Sequence, residues 1–209
     1  KATAAATFAR VITLEKLTLS SLPGGMDLQD LFISLQNHTS LKELVLRFFR
    51  LSKLAVQHAA QMLRQNTSIQ SVYLNVEDNV SAIPIAEALE TNSTLKVLER
   101  HWLNTEETHA FIRVLENKNF TLEELKGYCC YNPTRNDRSN AEIQAAQENR
   151  RKIDFYLSLN KDFQRKRLFS SDENAAVQDW LDVIASASER EKMDVIFYYL
   201  SEKPSLITL

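Results

Sequence analysis

The sequence predicts an α/β fold in which short strands and helices alternate and stack as a repeat array. The first observation is a regular period: apolar residues open strand-like runs at steps of 27, 28, 26 and 27 residues, at Leu14, Leu41, Ile69, Leu95 and Leu122. The second is an alternating apolar pattern within each run, and the third is a helical pattern after it. Periods of about 20 to 50 residues are typical of stacked arrays, which commonly present a long binding surface.

Each unit begins with apolar residues at its first, fourth and sixth places. Leu41, Leu44 and Leu46 form a complete copy, whereas the sixth place holds Arg100 in the fourth unit and Gly127 in the fifth. Because side chains alternate along a strand, the fourth and sixth places lie on one face. The five strands are therefore expected to pair in parallel and to line one side of the array.

A helical pattern follows each strand. The apolar residues with helical spacing are Leu31 and Leu35; Ala59, Ala60 and Leu63; Ile85, Ala86 and Leu89; and Phe111, Ile112 and Leu115. Asn recurs after each helix, at Asn37, Asn66, Asn92 and Asn117, and Asn is favoured at helix ends and turns. Each unit is thus predicted to be strand, loop, helix and Asn-rich turn.

The period and strand pattern from Leu14 to Cys130 resemble the ribonuclease-inhibitor-like branch of the leucine-rich repeat family. The resemblance implies a leucine-rich repeat solenoid of about five units, with the parallel sheet on the concave face. The family usually places Asn or Cys three residues after the third strand Leu. Those places here hold Leu22, Phe49, Glu77, Leu103 and Cys130. The buried Asn or Cys ladder is therefore expected to be mostly absent, with looser loops.

The chain after Cys130 is predicted to be a helical cap followed by a helical hairpin. A polar loop surrounds Pro133, and a helix is expected from about Ala141 to Leu159. Two further helices follow, after capping-box patterns at Ser170 and Glu173 and at Ser188 and Glu191. Their predicted inward stripes are Val177, Trp180, Leu181 and Ile184, and then Met193, Ile196, Phe197 and Leu200.

The aromatic-rich segments in this part resemble the C-terminal helical cap of algal leucine-rich repeat proteins. They are the stretches 153–160 and 197–200, together with Trp180. Two domains are expected: a solenoid with an N-terminal capping segment at 1–130, and the helical cap and hairpin at 131–209.

The composition is that of an ordinary globular protein. The chain has 209 residues, 44% hydrophobic and 25% charged, with a net charge of −2. Nothing in this balance points to nucleic acid or to an anionic membrane, and no apolar run approaches a transmembrane segment. The N-terminus lacks a starting Met and a secretory core, so the chain is either processed or a fragment. The adjacent Cys129 and Cys130 give no disulfide framework, which favours an intracellular location, in the cytoplasm or an organelle.

Five Asn-x-Ser/Thr sequences occur, beginning at Asn37, Asn66, Asn79, Asn92 and Asn119. Taken alone they would suggest glycosylation in a secreted protein. Four of them lie in the same turn of successive units, however, so the turn chemistry explains them without attached sugar.

No local motif indicates an enzyme. The three glycines form no phosphate-binding loop, and the four histidines lack the spacing of a zinc site. No catalytic residue, metal or cofactor is therefore expected, although a site assembled only in three dimensions stays open as an alternative.

The exposed strand positions are the predicted binding surface. Alternation assigns to it Arg47, Phe48, Tyr73, Asn75, Glu99, His101, Trp102, Lys126 and Tyr128. Aromatic residues and Arg are enriched in protein-binding hot spots. For Phe48 and Trp102 two interpretations stay open: partner contact, or packing into the loops in place of the missing Asn ladder.

A second candidate surface is a basic run on the cap. It comprises Arg150, Arg151, Lys152, Lys161, Arg165, Lys166 and Arg167. Such a run can dock an acidic partner, or it can simply be the solvated face of a helix.

The predicted function is a non-enzymatic protein–protein interaction module or assembly subunit, binding a protein partner of unknown identity through the strand face. The main alternative is a regulator of an enzyme, such as a GTPase-activating protein of the leucine-rich repeat type, using Arg47 or Arg100. A ubiquitin-ligase substrate receptor is a further alternative, although the adaptor-binding helices that usually precede such repeats are absent from this sequence.

Overall fold

The computed structural model describes residues 13–20, 28–76, 80–100, 103–126, 139–162, 165, 168, 176–190 and 192–202. These residues form an α/β structure with one parallel sheet of five strands and seven helices. By internal compactness the chain divides into a first unit, Lys1–Leu157, and a second unit, Ser158–Leu209. The predicted domain boundary at residue 130 lies outside the described residues and stays a prediction.

The sheet confirms the predicted strands and their order. Its strands are β1 (Lys16–Ser20), β2 (Glu43–Arg47), β3 (Ser71–Tyr73), β4 (Val97–Glu99) and β5 (Glu124–Lys126). Each strand pairs in parallel with the next one along the chain. Leu17, Leu44, Val72, Leu98 and Leu125 are aligned across the sheet and are buried in every strand. The sequence period is therefore the step from one strand to its neighbour.

Helices connect the strands and bury their apolar stripes. In the first unit they are α1 (Leu28–Leu35), α2 (Lys53–Gln65), α3 (Ile83–Ala88) and α4 (Thr105–Asn117). α5 (Asn140–Asp162) follows, and its residues Ile153 and Leu157 join the same core. One continuous core thus contains the inward strand residues and the helical stripes, leaving the other side of the strands available for contact with a partner.

An Asn ladder links successive units at the turn between helix and strand. The Asn66 side chain donates to the carbonyl of Leu35, one unit earlier, over 2.7 Å. Asn92 donates to Leu63 over 2.6 Å, and Asn119 donates to Leu89 over 2.8 Å. All three Asn side chains are buried.

Each ladder Asn also fixes the start of its own strand. The Asn66 side-chain oxygen accepts from the amides of Ser68 and Ile69, both over 2.8 Å. Asn92 and Asn119 repeat these bonds in the next two units. The first unit has His38 at this place, and its Nδ1 accepts from the Leu41 amide over 3.1 Å.

The expectation that a buried Asn ladder is mostly absent is therefore wrong, because the ladder lies before each strand rather than after it. Asn119, not Asn117, is its member in the fourth helix-to-strand turn. The predicted loosening of the loops is also not seen at two places, because Phe49 and Leu103 are buried there. Apolar packing takes the part that Asn or Cys was expected to take.

The second unit contains two helices that pack against each other, α6 (Ala176–Glu189) and α7 (Met193–Glu202). Trp180 meets Tyr199 edge-on, with 5.4 Å between ring centroids. The buried residues of α7 are Val195 and Tyr199, whereas Met193 and Phe197 are 60% and 71% exposed. The predicted inward stripe of this helix was therefore wrong in phase.

Three further predictions for this part have different outcomes. Leu181 is exposed although it was assigned inward, while Trp180 is buried as expected. The two predicted capping boxes fall wholly or partly outside the described residues. In the described part of the chain, no helix is both long enough and apolar enough to cross a membrane.

Candidate protein-binding surface

The outward strand positions form an accessible surface on the sheet, which we call the strand face. Arg47 and Lys126 are exposed, and Tyr73, Asn75 and Glu99 are half-buried. Five of the nine predicted binding residues thus lie where alternation placed them, and Phe48 adds a sixth in the turn after β2. His101, Trp102 and Tyr128 lie outside the described residues.

The strand face contains a depression of about 380 Å³ across its three middle strands. We call it the strand-face depression, and it is lined by Glu43, Val45, Arg47, Phe48, Ser71, Val72, Tyr73 and Glu99. The register aligns Val45, Tyr73 and Glu99 across β2, β3 and β4. Four predicted binding residues, Arg47, Phe48, Tyr73 and Glu99, are therefore brought together at one place.

Phe48 projects into solvent beside this depression. Its side chain is 78% exposed, whereas its neighbour Phe49 is only 8% exposed. The backbone of Phe48 has φ 63°, a left-handed conformation that is costly for a bulky residue. The turn thus sends one aromatic ring outward and the next one inward. Of the two interpretations left open by the sequence, exposure is correct for Phe48, and Phe49 occupies the loop layer.

The charged groups of the strand face differ in whether they are neutralised. Lys16 pairs with Glu43 over 2.9 Å, and Lys126 pairs with Glu124 over 2.9 Å. Arg47 and Glu99 make no ion pair with any residue that the structure describes. A partner approaching the depression would therefore meet one uncompensated positive charge and one uncompensated negative charge.

Arg100 is not on this surface, although it was considered as an alternative functional arginine. It stands at the third apolar place of the fourth strand, is 5% exposed, and pairs with Glu107 over 3.2 Å. Burial lowers the pKa of Arg100, while the charge of Glu107 and its hydrogen bond raise it. This pair is part of the interior rather than of the binding surface.

Glu107 is a residue that the sequence reasoning missed. Its carboxylate accepts from the amide of Asn104, and the Asn104 side chain accepts from the Glu107 amide, each over 2.9 Å. It also accepts from the amide of Ala82, just before α3, over 2.6 Å. The Asn-x-x-Glu spacing is a capping-box signal that could have identified it.

The basic run on the cap is only partly a surface feature. Arg150, Arg151 and Lys152 are exposed on α5, but Arg165 is 1% exposed and lies over the Tyr198 ring. Lys166 and Arg167 lie outside the described residues. The grouping of Arg165 with a solvated or docking face is therefore wrong, because its guanidinium packs on an aromatic ring inside the second unit.

The chemistry available at the strand face is non-covalent contact. It offers one exposed ring, one half-buried phenol, an apolar floor and two charges of opposite sign. Within the described ranges, no three His, Cys, Asp or Glu side chains come together as metal ligands.

Solved structures with a similar fold provide a comparison. A structure of leiomodin-1 actin-binding site 2 matches with a TM-score of 0.62 and 20% identity, covering 78% of this chain and 91% of that chain. The tropomodulin C-terminal domain of Caenorhabditis elegans matches with a TM-score of 0.58 and 11% identity, covering 80% and 97%. No protein-family model matches the chain, and no curated protein matches it in sequence.

These matches correct the resemblance drawn from the sequence. The structural relatives are a leiomodin and a tropomodulin domain, and not ribonuclease-inhibitor-like or algal leucine-rich repeat proteins. The misassignment has a physical reason. A period near 27 residues with leucines at alternate strand positions is what any stack of parallel strand–helix units needs, so it does not distinguish one family from another.

Proposed function

We propose that this chain is a non-enzymatic interaction module that binds a protein through the strand face, and that the partner is actin. The strand–helix units would act together as a repeat solenoid whose sheet provides the surface. The observation that carries the proposal is Phe48, an aromatic side chain held outward in a costly backbone conformation beside an open depression. Strained residues persist where the surrounding structure fixes them, often at ligand-contacting sites.

Actin is proposed because of the fold comparison. The leiomodin-1 structure is described as an actin-binding site and aligns with most of this chain. At 20% identity the likeness concerns the fold, so the choice of actin needs a direct experiment. An actin partner would also suit the intracellular location expected from the cysteines.

The experiment measures binding of the full chain to monomeric actin by fluorescence anisotropy and to filaments by co-sedimentation. We expect Phe48→Ser and Tyr73→Ala to weaken binding about tenfold each, because truncating a central aromatic residue commonly removes more than about 1 kcal/mol. Leu54→Ser is the matched control, since Leu54 is also an exposed apolar residue but lies on α2.

Two outcomes would contradict the proposal in different ways. Absence of binding by the wild-type chain to either form of actin would remove actin as the partner. Equal weakening by Leu54→Ser and by the strand-face variants would remove the strand face as the binding surface.

A regulator of a GTPase is a second candidate, supported by one observation. Arg47 is exposed and has no ion-pair partner among the described residues, as an arginine acting on a nucleotide in trans would need. Arg100 is buried against Glu107, so this alternative depends on Arg47 alone. Stimulation of GTP hydrolysis that is lost in Arg47→Ala would support it, and no stimulation across a panel of GTPases would remove it.

A further inference from the structure

We propose that the strand-face depression binds a helical segment of the partner that lies across the strands. This segment carries one acidic and one basic residue about two turns apart, with an apolar residue between them. The inference rests on the proposed function for the location of the surface, and it adds the chemistry and direction of the bound segment.

The two uncompensated charges define the ends of the bound segment. Arg47 is at the end of β2 and Glu99 is at the end of β4, on either side of Tyr73. The third charged group of the depression, Glu43, is already neutralised by Lys16. Complementary charges orient partners and exclude wrong ones. A partner therefore places an acidic group at Arg47 and a basic group at Glu99.

The register gives the separation of these charges. Glu99 aligns with Tyr73 and Val45, and Arg47 lies two residues further along β2. Two strand spacings of about 4.8 Å and two residues of about 3.3 Å each place the Cα atoms roughly 12 Å apart along a diagonal. With a rise of about 1.5 Å per residue, a helix covers this distance in about two turns, and residues seven or eight apart lie on the same side.

The backbone of the depression favours a helix over an extended segment. β2, β3 and β4 are each paired with a strand on both sides. A partner strand cannot add to them, because strand addition needs the free hydrogen-bonding groups of a sheet edge. A helix satisfies its own backbone and needs only side-chain contacts. Val45, Tyr73 and Phe48 lie where the apolar residue of its middle turn would enter.

Synthetic peptides test the charge pattern. Three helical peptides of about 16 residues share a Leu in the middle turn and differ only in the pair seven residues apart: Asp and Lys, two Asp, or two Lys. Each is titrated into the isotopically labelled full chain while the amides of Tyr73 and Glu99 are followed by NMR. We expect the wild-type chain to bind the Asp/Lys peptide about threefold to fivefold more tightly than either of the others, the range of exposed ion pairs.

Charge reversal sharpens the test. Glu99→Lys should change the preference to the peptide with two Asp, and Arg47→Glu should change it to the peptide with two Lys. Arg113→Glu, an exposed reversal on α4, should leave the wild-type order unchanged. Equal affinity for the three peptides, no binding of any of them, or reversal variants that keep the wild-type order would each overturn the proposal.

The actin and peptide measurements separate this inference from the proposed function. Actin binding without the predicted peptide order would remove the inference and keep the function. The predicted peptide order without actin binding would keep the inference and remove actin as the partner.

Discussion

Arg100 and Glu107 form an ion pair inside the first unit, with 3.2 Å between Nη2 and Oε1, and both side chains are almost completely buried. Arg100 stands where the preceding units have Leu19, Leu46 and Leu74. The carboxylate of Glu107 also accepts the amides of Ala82 and Asn104, at the starts of α3 and α4. One side chain therefore connects two helices and compensates one buried charge.

Replacing Glu107 by Ala should be strongly destabilising. The change leaves the Arg100 guanidinium buried without its counter-charge and removes an acceptor from two buried amides. Breaking a buried pair from one side costs about 3–5 kcal/mol. Urea denaturation followed by circular dichroism would measure this loss in the free energy of unfolding.

Arg100→Leu is the matched control for this prediction. It restores the apolar residue of the other units and leaves Glu107 with its two amide donors, so we expect a smaller loss of about 1–3 kcal/mol. The double variant Arg100→Leu with Glu107→Gln should lose less than the sum of the single changes. A loss below about 1 kcal/mol for Glu107→Ala would show that the pair does not stabilise the fold.

Replacing Phe48 by Gly should stabilise the chain and weaken partner binding together. Glycine adopts φ near 63° without the steric conflict of a Cβ atom, which for other residues is worth about 1–2 kcal/mol. Part of this gain is offset by the flexibility of glycine in the unfolded chain, so we expect a net gain of about 0.5–1 kcal/mol. Thermal unfolding and the actin assay would measure the two effects.

Phe48→Ala separates the ring from the backbone. It removes the exposed aromatic group but keeps the Cβ atom in the left-handed conformation, so binding should fall without a gain in stability. If both variants bind like the wild-type chain, Phe48 is not a contact residue. If Phe48→Gly is less stable than Phe48→Ala, the backbone conformation is not strained.

The strands, their order and most of the exposed positions could be predicted from the sequence because they depend on periodicity. Alternation placed Val45, Tyr73 and Glu99 outward, and the repeat length set which strands pair. These features follow from the geometry of a strand and do not require knowledge of distant contacts.

Features that depend on three-dimensional context were not predictable in the same way. The turn after β2 contains two phenylalanines, and no local pattern shows that Phe48 points outward and Phe49 inward. Residues 195–200 of α7 are all apolar or aromatic, so their spacing does not reveal which face is buried. The contact between Trp180 and Tyr199 decides it.

Replacing Asn92 by Ala should destabilise the junction of the second, third and fourth strand–helix units. The side chain donates to the carbonyl of Leu63 and accepts from the amides of Thr94 and Leu95. Losing it leaves buried backbone groups unsatisfied, and each such group costs about 1–3 kcal/mol. We expect a total loss of about 3 kcal/mol in urea denaturation.

Asn37→Ala is the control for the ladder, because Asn37 begins the same Asn-x-Ser/Thr sequence but is exposed. Its replacement should change the free energy of unfolding by less than about 0.5 kcal/mol. Equal losses for the two variants would indicate that the sequence pattern matters through turn propensity rather than through the buried ladder.

Tyr199→Phe should make the chain less sensitive to alkaline pH. Burial, and then the nearby Tyr198, raise the pKa of the Tyr199 hydroxyl, while the charge of Arg165 opposes this rise. Below about pH 10, the usual pKa of Tyr, both the folded and the unfolded states keep the proton. Above it the unfolded chain ionises first, so stability falls as the pH rises through this window.

The measurement compares the unfolding free energies of the wild-type and Tyr199→Phe chains at about pH 7 and about pH 10.5. Near neutral pH the variant should be equal in stability or gain up to about 1 kcal/mol, because it removes a buried hydroxyl that has no hydrogen-bond partner in the described structure. At the higher pH its advantage should grow, since the unfolded variant has no phenol to ionise at this position. A constant difference at the two pH values would mean that the hydroxyl titrates alike in the folded and unfolded chain.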